Sequence, residues 1–195
     1  METIVLASGS ERRKEFFTLL GLPFTCIPPS VDESFDPSGS PGLVAEGLAL
    51  RKTRKIAEDP GNEETLWVCG ADTIVALEGK IFGKPLDRKD AGHMLSALQG
   101  RTHEVFTAMA LYNGRCKTFD CRSVKSTVSF AALSEGEMEW YLDSGEWKDA
   151  AGAYKIQGLA SCFISSIVGS YSSIVGLPLR EFYVMLRDNN YPFGG

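Results

Sequence analysis

The chain has 195 residues, 44% of them hydrophobic and 23% charged, with a formal net charge of −5. That size and mixture fit one globular domain over 1–195 with a sizeable core. The acidic balance excludes a global basic field for a nucleic-acid polymer or an anionic membrane, so any anionic ligand must be drawn by a local cluster.

Thr3 to Ala7 is expected as a strand. Ser8-Gly9-Ser10 then turns into a helix over 11–20, with Ser10 as N-cap and Gly21 as stop. Residues 24–27 read as a second strand, and 28–41, with four prolines, as a loop. A helix is expected over 43–58. Two strands follow, 66–77 and 80–82, joined at Glu78-Gly79. Asp87 to Asp90 opens a further helix whose Ala91, Leu95 and Leu98 recur at helical spacing. Residues 105–112 and 115–130 flank Asn113-Gly114, the favoured pair of a two-residue type I′ hairpin. Ser134-Glu135-Gly136-Glu137 spells a capping box before a helix to about Asp143. A glycine-bearing loop over 150–160 precedes a last strand over 162–168, and Pro178 lies in the first turn of a final helix. Parallel crossovers combined with an antiparallel hairpin define an α/β chain.

Five cysteines, Cys26, Cys69, Cys116, Cys121 and Cys162, are odd in number and include no Cys-x-x-Cys pair. That opposes a disulfide framework or a zinc site and suits a reducing cytoplasm, while Cys69 and Cys162, in apolar runs, read as small core residues. With no leader-like segment before Ile4 and no apolar run near 18 residues, the expected location is cytoplasmic.

Asp72 demands explanation first, because it lies inside the apolar run from Leu66 to Leu77. An ionised carboxylate rarely sits there unless a metal, a lysine or a catalytic task accompanies it. Arg12 and Arg13 follow Ser8-Gly9-Ser10 in the first turn of a helix, where cations oppose the helix dipole and a bound phosphate would reverse that sign. A solvated arginine pair fits the composition equally well. Lys52, four residues from Leu48 and Ile56, reads on spacing alone as a snorkelling lysine at the core's edge. Lys84, held extended by Pro85, suits either a cleft wall or a surface loop. Asp32 and Glu33 read as solvated loop acids unless Asp72 needs company around Mg²⁺ or Mn²⁺, which take oxygen ligands. Two histidines, His93 and His103, make a histidine-rich zinc site or a Ser-His-Asp triad improbable. Gln157, in Gly152-Ala153-Tyr154-Lys155-Ile156-Gln157-Gly158, can donate and accept at a base edge or be a loop residue without a role.

Five segments together resemble the Maf family of nucleoside triphosphate pyrophosphatases. They are Leu6-Ala7-Ser8-Gly9-Ser10-x-Arg12-Arg13, Gly70-Ala71-Asp72-Thr73-Ile74-Val75, Gly83-Lys84-Pro85, Ala151-Gly152-Ala153-Tyr154-x-Ile156-Gln157-Gly158, and Gly169-Ser170-Tyr171 followed by Val175 to Leu179. The resemblance implies a mixed, twisted α/β sheet flanked by helices, in two lobes around a central cleft, similar to inosine triphosphate pyrophosphatases. It implies hydrolysis of a nucleoside triphosphate to monophosphate and pyrophosphate with a divalent metal, Mg²⁺ or Mn²⁺. Asp72 matches the family's proton acceptor. Ser8, Ser10, Arg13, Lys52 and Lys84 match substrate- and phosphate-handling positions, and Glu33 joins Asp72 as a metal-side carboxylate. Arg12, Thr73 and Gln157 match positions linked to substrate preference and resemble the subgroup acting on dTTP and UTP, with modified pyrimidine nucleotides in scope. The same chemistry on 7-methyl-GTP, or a nucleotide-binding regulator of cell division, are the alternatives. A homodimer is compatible with the sequence. Two departures stand out: Glu11 replaces a usual proline, which sets a carboxylate against an incoming triphosphate, and Ser173 stands where asparagine is common.

Overall fold

The structure, a computed structural model, describes residues 1–36, 39–62 and 64–193. Its framework is one mixed seven-stranded sheet. The strands are β1 (Ile4–Leu6), β2 (Phe24–Cys26), β3 (Trp67–Leu77), β4 (Lys80–Phe82), β5 (Thr102–Asn113), β6 (Thr118–Phe130) and β7 (Ile164–Val168). Six run in the order β2-β1-β3-β5-β6-β7, and β4 also pairs with β3. β1 runs parallel to β2 and β3, and every other pairing is antiparallel. The helices are α1 (Glu11–Leu19), α2 (Pro41–Ala57), α3 (Arg88–Leu98), α4 (Glu135–Ser144), α5 (Tyr171–Val175) and α6 (Leu179–Asp188).

Side chains alternate across a strand, so β3 divides its residues between two faces. On one face Ile74, with Ala108 and Ala110 of β5, packs under α2 through Ala45, Leu48 and Ala49. On the other face the core is in two pieces. Trp67, Cys69 and Ala71 pack with Phe17 of α1 and Phe182, Met185 and Leu186 of α6. Val75 and Leu77 pack with α3 and α4 through Leu95, Leu98 and Tyr141. Thr73 and its partner across the ladder, Thr107, stand between these two pieces. The expected two-lobed arrangement is built in this way, from one long strand pair serving two cores.

The far edge of β3 is where the opening arises. β1 pairs with it at Val68 and Cys69, and β4 pairs at Val75 to Leu77. Both strands are three residues long. Neither reaches Gly70 to Ile74, so Asp72 sits beside a break in the sheet's edge.

Several local expectations hold. Gly21 takes the left-handed conformation (φ +64°) that ends α1, and Asp87 caps α3 by accepting from the Asp90 amide. Ser134 and Glu137 form the reciprocal capping box of α4. Three expectations are corrected. Ser10 occupies the N-cap position of α1 but its side chain makes no capping bond. The hairpin between β5 and β6 has a four-residue turn, not the two-residue type I′. Asn113 still pairs with Thr118, its Oδ1 accepts the Arg115 amide, and the Gly114 amide donates to the Leu66 carbonyl at 2.7 Å. Contact with the neighbouring chain at Leu66 thus overrides the local turn preference. Cys162 is exposed in the short 3-10 helix (Leu159–Phe163) before β7, whereas Cys69 is buried as expected, and burial pushes its thiol up to about 12. No helix among the described residues is long and apolar enough to cross a membrane.

Candidate active site

Asp72 lies at the centre of β3, on the face covered by α2, and is 9% exposed. Its partner is Lys52. The Lys52 ammonium donates to Asp72 Oδ1 at 2.5 Å and to Glu33 Oε1 at 2.8 Å. The edge-of-core reading of Lys52 is therefore replaced: the residue is buried and its charge serves two carboxylates. α2 reaches this depth because β3 carries Gly70 beneath it. A Cβ on Gly70 would lie 2.5 Å from Thr53 Oγ1 and 3.0 Å from the Ala49 carbonyl.

Glu33 is more than a solvated loop acid. Its other oxygen lies 3.8 Å from Lys84, whose side chain is exposed. Burial pulls the Glu33 carboxyl upward, but the Lys52 hydrogen bond and charge, with Lys84 and Arg13, outweigh it and hold the group below its ordinary range. Asp32, by contrast, caps its own turn by accepting from Ser34 and plays no part in the cluster.

Arg13 enters from the opposite face. Its Nε donates to the Gly176 carbonyl at 2.9 Å, Nη1 to Ser8 Oγ at 3.2 Å and Nη2 to Thr73 Oγ1 at 3.4 Å. Burial draws this guanidinium below its usual range, the Asp72 charge opposes that, and Arg12 adds like-charge repulsion. The solvated-pair reading of the arginines fails for Arg13. Arg12 is half-buried and feels the charges of Asp149 and Glu15 against a larger burial effect. Ser8 Oγ accepts from both Arg13 and the Ser10 amide, which leaves its single proton available to an anion. Ser10 precedes α1, whose first amides have no partner within the helix.

Gln157 is exposed and does not join the cluster: no hydrogen bond among the described residues engages it. It lines an open groove of about 490 Å³ with Ile156, Ile164, Ile167 and Tyr171. Tyr171 begins α5, and Gly176, at the other end of that helix, holds Arg13. One short helix thus separates groove from guanidinium. The segment carrying Gln157 is anchored to the wall that carries Lys84, since Gly152 (φ +68°) donates to the Gly83 carbonyl at 3.0 Å.

Both departures from the family pattern have a structural sequel. Glu11 pairs with Lys14 at 2.6 Å, so its charge is partly answered within the first turn. Ser173 is fully buried and bonds Ser126, so its side chain meets the protein interior and not the opening. Sequence reasoning missed Thr107 and Ser126, buried hydroxyls that link α5 to the strands.

Hard oxygen donors from Glu33 and Asp72 suit Mg²⁺ or Mn²⁺, which commonly take one or two carboxylates with phosphate and water. Asp72 Oδ2 supports the fit, because no hydrogen bond among the described residues engages it. Those residues hold no cluster of three or more metal-ligating His, Cys, Asp or Glu side chains, so substrate oxygens would have to complete any such sphere.

The profile of the Maf-like protein family matches residues 3–189. The dTTP/UTP pyrophosphatase of Symbiobacterium thermophilum is 43% identical over 193 residues, covering 98% of this chain and 96% of that one. The dTTP/UTP pyrophosphatase of Hahella chejuensis is 46% identical over 186 residues, covering 95% and 91%. Among solved structures, the Staphylococcus aureus Ham1 protein aligns over 67% of this chain and 72% of its own, with a TM-score of 0.46 and 15% identity. The chain belongs to the Maf-like protein family.

Proposed function

We propose that this protein hydrolyses nucleoside triphosphates, dTTP and UTP foremost, to the nucleoside monophosphate and pyrophosphate. One observation carries the reading: a buried carboxylate, a lysine bonded to it and a half-buried arginine meet at a break in the sheet edge. The full-length similarity to relatives bearing that activity in their names supports the same substrate class.

Arg12, Arg13, Lys52 and Lys84 neutralise the triphosphate, and Ser8 donates its free hydroxyl proton to a phosphate oxygen. Ser10 and the first amides of α1 receive phosphate oxygens at the helix's positive end. Lys52 occupies Asp72 Oδ1 and fixes the carboxylate's orientation. Oδ2 is left to take a proton from a water that attacks the α-phosphorus in line. The α–β bridging bond breaks, pyrophosphate leaves with the electron pair, and Asp72 returns its proton to solvent. Glu33 and Asp72 would hold the divalent cation, which supplies charge neutralisation and lowers the pKa of water. Gln157, Thr73 and Arg12 select the base.

Positioning and charge neutralisation account for most of the rate gain. The general base contributes roughly 10²–10⁴-fold. Incubation with dTTP or UTP and Mg²⁺, with pyrophosphate as readout, tests the activity. Asp72→Asn is expected to lose turnover by that factor while remaining folded, with Lys52 still paired to Glu33, and keeping most nucleotide affinity. Near-wild-type turnover in that variant would exclude Asp72 as the base, and wild-type protein that binds dTTP without releasing pyrophosphate would overturn the function.

A further inference from the structure

Thr73 is half-buried where the rest of β3 is buried, and Thr107, directly across the ladder, is completely enclosed. A threonine hydroxyl carries one proton and two lone pairs. Thr107 Oγ1 lies 2.6 Å from the Ser173 carbonyl oxygen, which can only accept. The Thr107 proton is committed there. The two threonine hydroxyls lie 3.0 Å apart, and the bond between them needs a donor. Thr73 alone has a proton left to give. Arg13 Nη2 then donates to Thr73 Oγ1 at 3.4 Å. Thr73 therefore offers the opening a lone pair and no proton. Ser8 has the opposite polarity, because it accepts twice and keeps its proton free. A phosphate oxygen needs donors, so Ser8 suits it and Thr73 does not.

The acceptor of the relay is itself held in place. Ser173 Oγ lies 2.8 Å from Ser126 Oγ, which in turn accepts the Ser170 amide at 3.0 Å. Gly169 at this junction could not carry a side chain, since a Cβ would lie 2.6 Å from Ser126 Oγ. At the other end of α5, the Gly176 carbonyl takes the Arg13 Nε. The short helix thus fixes both the proton of Thr107 and the guanidinium that meets Thr73.

We propose that Thr107 is a positioning residue that makes Thr73 an obligate acceptor, so that the cleft selects pyrimidine bases carrying a ring N–H, uracil and thymine, against cytosine. The corresponding ring nitrogen of cytosine is an acceptor, and two acceptors facing each other in a partly enclosed site lose a bond and stay desolvated. This inference rests on the pyrophosphatase reading and specifies how that site tells its bases apart.

The test compares pyrophosphate release from UTP and CTP, which share sugar and phosphates, by wild type, Thr107→Val and Thr107→Ser, with the melting temperature of each. Wild type favours UTP in kcat/KM. Thr107→Val frees the Thr73 proton and lowers the UTP:CTP ratio roughly tenfold, mainly through KM, with kcat on UTP changed by less than about threefold. Thr107→Ser keeps the relay and retains the wild-type ratio. Where Thr107→Val does not fold, Thr107→Ala replaces it, and wild type supplies a second measurement: N3-methyl-UTP, which lacks the ring N–H, falls at least roughly tenfold below UTP. An unchanged UTP:CTP ratio in a folded Thr107→Val or Thr107→Ala protein overturns the inference. Equal hydrolysis of UTP and N3-methyl-UTP by wild type overturns it as well. Absence of pyrophosphate release from every nucleotide tested on wild type overturns the pyrophosphatase reading along with it, which separates the two failures.

Discussion

Lys52 holds one charge between two acids, at 2.5 Å from Asp72 and 2.8 Å from Glu33. Burying such a pair contributes little net stability, but removing one partner strands the other charge. Lys52→Met is therefore expected to destabilise the protein by about 3–5 kcal/mol, read by urea unfolding, and to abolish turnover. Lys52→Met combined with Asp72→Asn recovers most of that stability and none of the activity; a double variant as unstable as the single one would contradict the coupling. Asp72 was legible in the sequence because a carboxylate inside an apolar run conflicts with burial unless something compensates. Lys52 was not, because its helical spacing fits an ordinary edge-of-core lysine and its partner lies 20 residues away on another element. The Thr73–Thr107–Ser173 relay left no local signal at all, since hydroxyls paired across three elements look like ordinary polar residues in each.

Helix α2 is the element that brings Lys52 to Asp72, and its depth is set by Gly70. The Thr53 hydroxyl there shares its one proton between the Ala49 and the Ala110 carbonyls, at 2.9 and 3.1 Å, which pins the helix to the strands. Gly70→Ala forces a methyl into this contact. Overpacking of this kind costs about 1–3 kcal/mol. Because the helix must rise to relieve it, turnover is expected to fall further than stability implies; a variant with the stability loss and full activity would show that the helix's seating is not critical. At this scale most elements could be read from the sequence. The capping box of α4 and the long antiparallel pair were marked by local chemistry. The turn after Asn113 departs from its local preference because a tertiary contact at Leu66 decides its length, and Cys162 faces solvent, which its apolar run does not reveal because such a run says nothing about which side is outward.

For the molecule as a whole, His103 links stability to pH. It is 1% exposed in the larger core, where its Nε2 meets the Tyr154 hydroxyl at 2.8 Å and its rings stack edge-on with Phe130 and Tyr154. Burial draws the imidazole down from 6.5 to about 4. Between those values the unfolded chain binds a proton that the folded chain refuses, so stability falls as pH drops from 6.5 towards 4, by up to about 3 kcal/mol. His103→Gln is expected to flatten the melting-temperature profile over that range; a profile as steep as wild type would assign the acid sensitivity elsewhere. The division into two cores on one sheet face could be anticipated only from the family resemblance, since periodicity does not reveal where a core is interrupted. The interruption has one further consequence. Cys69 turns its carbonyl towards β1 and Val75 pairs with β4, so the two-residue alternation of a strand aims the peptide groups of Ala71 and Thr73 at the vacancy between them. A guest lodged there meets main-chain donors and acceptors that no point mutation deletes, and variants stripped of the charged side chains should still retain a floor of affinity supplied by the polypeptide itself.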